Sequence, residues 1–195
     1  MFIAGQKDMQ QMDQYTIEKM GLPGVVLMEN AGARVVETIV RYANDTNPRV
    51  VILAGGGNNG GDGFVIARRL IDIGWNPILC LLVDPARIKG DAKIHWDVYV
   101  NRGLPVLHGW SKNMDELQDG LQDELIKADI IVDAILGTGV KGAVREPFNK
   151  VIEMVNSLQG KKTVISVDIP SGVESESGKV EGAAIEATKT VTFVF

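Results

Sequence analysis

The chain has 195 residues, in which 20 Lys and Arg face 25 Asp and Glu, so the net charge is −5. The length fits one domain, and we interpret residues 1–195 as a single domain. The acidic balance argues against a nucleic-acid partner, because non-specific binding to phosphates needs a dense positive surface. Hydrophobic residues make up 45% and charged residues 23%, which is typical of a globular protein and not of a disordered or coiled-coil one.

Cysteine content and hydropathy limit where the protein can act. Cys80 is the only cysteine, which excludes an intrachain disulfide, and we predict a cytoplasmic protein with this thiol in its core. The first ten residues lack a signal-peptide core, and no apolar run reaches the roughly 18 residues of a membrane span. We therefore predict no membrane association. His95 and His108 lack partners at zinc-ligand spacing, which disfavours zinc.

Two helices are predicted before the first strand. The first covers about residues 8–20, where Met9, Met12 and Met20 are interpreted as a packing face. The second contains Met28 and Val35, whose spacing fits either a core face or a contact with another subunit.

Six short, mostly continuous apolar runs then predict strands buried on both faces. They lie at residues 49–55, 77–83, 104–107, 129–136, 163–169 and 190–195. Amphipathic stretches between them, at residues 64–74, from about residue 90, and at 114–125 and 148–158, predict crossover helices. This alternation predicts an α/β fold: a doubly wound, mostly parallel sheet in a three-layer α/β/α Rossmann-like sandwich with extra N-terminal helices. Ligands of such sheets bind beyond the carboxyl ends of the strands.

The first polar cluster at a strand end is GGGNNGGDG, residues 55–63. Glycines allow positive φ angles and close approach of a ligand to the backbone, and the start of the following helix favours an anion such as phosphate. Asn58, Asn59 and Asp62 add side-chain oxygens that a hard cation could use. A glycine-rich turn with side-chain caps is the alternative.

Two further clusters follow later strands. Asp133 interrupts an apolar strand, so its carboxylate should be paired, bound to a cation or exposed in a crevice. Residues 137–143, GTGVKGA, then form a loop with one hydroxyl and one cation. Asp168 ends the next strand and is followed by the turn of Ser171. Tight turns without any function are the alternative for both clusters.

A nicotinamide dehydrogenase is a different interpretation of the first loop. Gly55, Gly57 and Gly60 satisfy G-x-G-x-x-G, and Asp84 stands after the second strand where a ribose-binding acid would lie. The sequence shows no Tyr-Lys or His-Asp pair suited to hydride transfer.

Taken together, four strings resemble, in order and spacing, the YjeF N-terminal domain family, whose enzymes are NAD(P)H-hydrate epimerases. They are MQQMDQYTIEKMGLPGVVLMENAG, GGGNNGGDGFVIARRL, VDAILGTGVKG and VDIPSGVESESGKVEG, and the match covers residues 9–192. The resemblance implies an isomerase that interconverts the R and S forms of hydrated NADH or NADPH. A stereospecific dehydratase could then restore the cofactor.

The resemblance also implies a site. The substrate would be bound by Asn58, Asn59, Gly60, Gly61, Asp62, Gly137, Thr138, Gly139, Val140, Lys141, Gly142, Ala143 and Asp168. A potassium ion would be bound by Asn59, Asp133 and Ser171. We hypothesise that Asp133 moves the proton of the departing hydroxyl, with Asp168 as the alternative acid or base.

Partners and alternatives follow from the same resemblance. A homodimer is expected, together with a separate NAD(P)HX dehydratase, because 195 residues leave no room for that second domain. Related domains in enhancer-of-decapping proteins mediate dimerisation and RNA contact, so a non-catalytic scaffold or RNA-binding module is the alternative function.

Overall fold

Six parallel strands form one sheet in this computed structural model, which describes residues 5–43, 45–109 and 114–193. The strands are β1 (Val50–Ala54), β2 (Ile78–Leu81), β3 (Val106–His108), β4 (Ile130–Ala134), β5 (Thr163–Val167) and β6 (Lys189–Val191). The helices are α1 (Gln6–Glu18), α2 (Gly24–Tyr42), α3 (Asn58–Asp72), α4 (Gly90–Asn101), α5 (Met114–Lys127) and α6 (Phe148–Asn156). A 3-10 turn, Pro85–Arg87, precedes α4.

The strand order is β3-β2-β1-β4-β5-β6, and every pairing is parallel. The predicted doubly wound α/β fold is therefore confirmed. The direction of winding reverses between β1 and β4, where Leu53 lies beside Asp133. A crevice opens beyond the carboxyl ends of strands at such a reversal.

Apolar side chains cover both faces of the sheet, as the continuously apolar strands predict. On one face Ile52, Val132 and Ile165 pack with residues of α2, α3 and α4. On the other, Val51 and Ile131 pack with residues of α5 and α6. Cys80 lies in the second cluster, fully buried, and burial raises the pKa of its thiol to about 12. This confirms its predicted packing role.

The two N-terminal helices differ in how they pack. Met28 and Val35 of α2 are buried in the core, which decides between the two interpretations of that face. By contrast, Met12 of α1 and Met20, which follows that helix, are exposed. The predicted packing face is therefore wrong at these two positions, and only Met9 is half-buried. None of the helices in the described ranges combines the length and apolar character needed to cross a membrane.

Helix α3 begins at Asn58, six residues earlier than predicted, so most of the predicted glycine loop is helix. None of the glycines between residues 55 and 63 has a positive φ. Gly55, Gly60 and Gly61 serve close packing instead, since a Cβ on each would lie less than 3.0 Å from a neighbouring atom. A Cβ on Gly60 would lie 2.0 Å from the carbonyl oxygen of Gly55, and one on Gly61 would lie 2.4 Å from Sδ of Met28. The absence of side chains lets α3 start directly against β1 and α2.

We expect Gly60→Ala to lower the free energy of unfolding by at least about 1–3 kcal/mol, because the new methyl group meets backbone that cannot move aside. Gly120→Ala, on the exposed side of α5, is the control. No described atom lies within 4 Å of a Cβ at Gly120, so alanine there should raise stability by about 0.5–1 kcal/mol. Denaturant unfolding measures both, and equal effects would contradict the packing role.

Candidate active site

A cavity of about 1350 Å³ lies at the carboxyl edge of the sheet, where the strand order reverses. This volume exceeds the roughly 300–1,000 Å³ of sites for drug-sized ligands, so a dinucleotide-sized molecule fits. Its walls come from the start of α3, the loop between β4 and α6, the turn after β5, and helix α1.

Most of the predicted substrate residues line this cavity. They are Asn58, Asn59, Asp62, Gly137, Thr138, Gly139, Val140, Lys141, Gly142, Ala143 and Asp168. Gly60 and Gly61 do not line it, because they form the buried contacts of α3 with its neighbours. Asp133 and Ser171 lie behind the cavity wall, and each is 0% exposed.

Asp133 is the centre of a buried hydrogen-bond network. Its Oδ2 accepts from Oγ of Ser166 at 2.8 Å and from N–H of Ser171 at 2.9 Å. Its Oδ1 accepts from Oγ of Ser171 at 2.5 Å and from N–H of Ile135 at 3.3 Å. Burial raises the pKa of Asp133, and these hydrogen bonds lower it in part. No cationic side chain in the described ranges forms an ion pair with this carboxyl.

Asn59 and Ser171 meet at Leu136, the second residue after β4. Nδ2 of Asn59 donates to the Leu136 carbonyl at 3.0 Å, and Oγ of Ser171 accepts from the Leu136 N–H at 2.9 Å. The three predicted ion ligands therefore lie together, although Asp133 is in β4 while Asn59 and Ser171 come after β1 and β5. Only Asn59 among them reaches the cavity surface.

The oxygens around Leu136 are of the types that hard cations bind. A carboxylate, a hydroxyl, a carbonyl and an amide oxygen are the groups that such ions prefer, and the buried Asp133 carboxyl has no cationic partner in the described ranges. No group of three or more His, Cys, Asp or Glu side chains suited to a metal occurs among the described residues. The ligand chemistry fits an ion bound mainly by neutral oxygens.

Four carboxyls line the cavity: Asp13 on α1, Asp62 on α3, Asp91 on α4 and Asp168 after β5. The pKa values of Asp13, Asp62 and Asp168 are raised. Burial, and then the negative charge of Asp168, raises the pKa of Asp62 well above its usual range. Burial and the charge of Asp13 raise the pKa of Asp168, and burial raises that of Asp13. No described residue donates a hydrogen bond to the side chain of Asp13, Asp62 or Asp168.

Asp168 has a backbone φ of 65°, and it is the one non-glycine residue with positive φ in the described ranges. Aspartate tolerates this left-handed conformation better than most residues. The N–H of Asp168 donates to the carbonyl of Val191 at 2.8 Å, so β6 holds the strained residue at the cavity.

Arg87, Lys141 and Arg145 also line the cavity. Together with the start of α3, they offer positive groups to an anionic ligand. Asp84, by contrast, does not line it; its Oδ1 accepts from the N–H of Ala86 at 2.9 Å and caps the 3-10 turn. The dehydrogenase interpretation thereby loses its ribose-binding acid.

Sequence reasoning missed the contribution of α1. Met9, Gln10, Asp13 and Ile17 all line the cavity. Residues 9, 13 and 17 are four apart and so share one side of the helix. The signal in the sequence is a charged residue in the middle of this otherwise apolar stripe.

We expect Asp62→Asn to stabilise the ligand-free protein increasingly as the pH rises. Because the folded-state pKa of Asp62 is raised, the wild type loses stability as pH rises from the unfolded value of 3.8 to the folded-state pKa. The variant lacks this loss. Urea unfolding at pH 4.5 and 7.5 measures the difference, and a benefit that is larger at pH 4.5 would contradict the assignment.

Comparisons with known proteins relate this chain to one family. A family described as YjeF-related protein N-terminus matches residues 24–195. A bifunctional NAD(P)H-hydrate repair enzyme of Moorella thermoacetica is 40% identical over 99% of this chain and 36% of its own length. The chain spans about a third of the length of this and similar bifunctional relatives.

Two further relatives are matched over a larger share of their own length. An NAD(P)H-hydrate epimerase of Leuconostoc citreum is 37% identical over 95% of this chain and 77% of its own length. The crystal structure of the yeast protein ynu0 superposes with a TM-score of 0.83 at 28% identity, covering 98% of this chain and 80% of that one. Since the family match includes every element from α2 to β6, this chain belongs to the family of YjeF-related protein N-terminal domains.

Proposed function

We propose that this chain is an NAD(P)H-hydrate epimerase, which interconverts the R and S forms of hydrated NADH and NADPH. The observation that carries the proposal is the large cavity lined by Asn58, Asn59, Asp62, Asp168 and the loop of residues 137–143. Relatives of similar length bear the name of this activity.

The cavity has separate groups for the two chemical parts of such a substrate. The N-terminus of α3 and the cations Arg87, Lys141 and Arg145 suit the phosphates, which carry the negative charge. Carboxyls that receive no hydrogen bond from the described residues suit the hydroxyl and amide groups of the hydrated nicotinamide ring. Binding of this kind would orient the ring beside Asp62 and Asp168.

Epimerisation needs a proton at the hydroxyl on the ring carbon next to nitrogen. Protonation lets that oxygen leave as water while the nitrogen lone pair forms an iminium, and water adds to the other face and returns the proton. The role of Asp133 in this step stays a prediction. Asp133 is buried behind the cavity wall, whereas Asp168 lines the cavity, and this favours Asp168, the second candidate. A positioned carboxyl typically contributes about 10²–10⁴-fold to such a step.

We also propose a potassium ion at Asn59, Asp133 and Ser171. The support is the buried Asp133 carboxyl without a cationic partner in the described ranges, beside neutral oxygens of Leu136 and Ser171. When bound, the ion would offset the buried negative charge and help to position a substrate oxygen. Asn59, which lines the cavity, would connect the ion to the substrate.

Homodimer formation, cooperation with a separate NAD(P)HX dehydratase and a cytoplasmic location belong to the same proposal. Exposed apolar residues on α2, such as Val26 and Val40, support an interface between two copies. The epimerase would supply whichever isomer the dehydratase consumes. The non-catalytic scaffold alternative gains no support from a cavity lined by so many of the predicted substrate residues.

The proposed function predicts that the wild-type protein, with no dehydratase present, converts an R-enriched sample of hydrated NADH into a mixture of both isomers. Chiral chromatography of timed samples measures the R excess. Heat-inactivated protein is the control for spontaneous conversion. A persistent R excess in the presence of folded protein would overturn the proposal.

Variants of the two candidate carboxyls separate their roles. Asp168→Asn should keep the fold, since asparagine also tolerates positive φ, and should lower kcat by about 10²–10⁴-fold. Asp133→Asn should also lower the melting temperature, because an amide nitrogen cannot accept from Ser171 N–H. Normal turnover by Asp168→Asn, with the loss confined to Asp133→Asn, would return the proton transfer to Asp133.

The ion proposal predicts that KCl raises the melting temperature more than choline chloride does at equal ionic strength, because an ion that binds the folded state stabilises it by mass action. Ser171→Ala should reduce this difference. Ser157→Ala, which removes an exposed hydroxyl bonded to the Met154 carbonyl, should leave it unchanged. Equal melting temperatures of the wild type in the two salts would contradict the ion site.

A further inference from the structure

Helix α1 presents a carboxylate to the cavity in a position that protein stability alone does not explain. Met9, Asp13 and Ile17 form the stripe that faces the cavity, while Tyr15 on another side of the helix is 61% exposed. An apolar residue at position 13 would continue the stripe. Instead, the charged group lies close enough to Asp168 to disfavour ionisation of that carboxyl.

Another wall of the cavity also presents a carboxyl that receives no hydrogen bond from the described residues. Asp62 lines the cavity with only 8% of its surface exposed, and no described residue donates a hydrogen bond to its side chain. A buried carboxyl without a donor costs free energy. Of the carboxyls that line the cavity, Asp13, Asp62 and Asp168 come from three different elements, and a ligand with hydrogen-bond donors would satisfy them.

We propose that Asp13 is a further substrate-binding residue, which accepts a hydrogen bond from a hydroxyl or amide group of the hydrated nicotinamide ring held between α1 and Asp168. This inference rests on the proposed function for the identity of the ligand. The ring carries two suitable donors, the hydroxyl on the carbon next to nitrogen and the carboxamide NH₂. In the complex, α1 would pack against the substrate with the stripe of Met9, Asp13 and Ile17.

Direct binding of hydrated NADH, measured by titration calorimetry, tests the inference without relying on turnover. Asp13→Ala should raise Kd by about 10- to 100-fold, the loss expected for one hydrogen bond to a charged group. Asp13→Asn keeps an acceptor oxygen and should bind with a Kd between those of Asp13→Ala and the wild type. Glu18→Gln is the matched control, because Glu18 is exposed on the same helix and accepts only from Gln14 at 2.9 Å in the described ranges.

The melting temperature of the ligand-free protein separates binding from a structural role. Removal of the charge that faces Asp168 should leave the melting temperature of Asp13→Ala equal to or above that of the wild type, since alanine also favours the helix. A lower melting temperature would indicate a structural role and overturn the inference. So would a Kd within twofold of the wild-type value.

Two more outcomes keep the inference distinct from the proposed function. If the wild type binds hydrated NADH tightly but does not epimerise it, the proposed function fails while the Kd comparison still decides the role of Asp13. If the wild type does not bind the hydrate, both fail. If Asp13→Ala changes only the effect of KCl on the melting temperature and leaves Kd unchanged, a cation occupies the position and the inference is overturned.

Discussion

The buried carboxyl of Asp133 is the constraint on which the site depends. A carboxyl inside a parallel sheet must receive donors or lose its charge, and this one takes four hydrogen bonds, from Ser166, Ile135 and both N–H and Oγ of Ser171. Ser166 belongs to the neighbouring strand β5, and Ser171 to the turn after it. The network therefore fixes how the chain leaves β4 and β5, and these two exits form the cavity walls.

The third wall is attached to the same network through helix α3. Gly60 lets the helix begin in contact with the backbone of Gly55, and Asn59, one residue earlier, reaches the carbonyl of Leu136. The amide bond joins the start of α3 to the exit of β4, close to where Ser171 bonds the same residue. Asp133 at the centre of the network and Gly60 at the contact of α3 with Gly55 together determine the shape of the cavity.

The sequence was sufficient to predict the strands and the edge of the sheet at which polar residues gather, because β-branched runs and the parallel topology leave few arrangements. It was insufficient at Asn58, where a glycine-rich run is typical of a loop and only tertiary packing makes it helical. It could not tell that Asp133 lies behind the cavity wall while Asp168 lines it. The alternation of side chains along a strand predicts which face of the sheet each residue is on. The path of the chain after the strand decides which carboxyl is exposed, and the sequence does not show that path. Asp13 was missed because the stripe containing it resembles a packing face.

The distribution of charge in the cavity connects stability with function. The positive groups Arg87, Lys141 and Arg145 line the same cavity as the start of α3. Burial raises the pKa values of Asp13, Asp62 and Asp168, and the neighbouring charges of Asp168 and Asp13 further raise those of Asp62 and Asp168. Like charges that share a partly buried space destabilise the ligand-free fold. The burial of Asp62 would in turn strengthen a hydrogen bond from a ligand donor to its carboxyl, because electrostatic attraction is stronger where water is excluded. The lining therefore suits a ligand that carries both negatively charged groups and hydroxyl or amide donors, as the hydrated nicotinamide dinucleotide proposed above does.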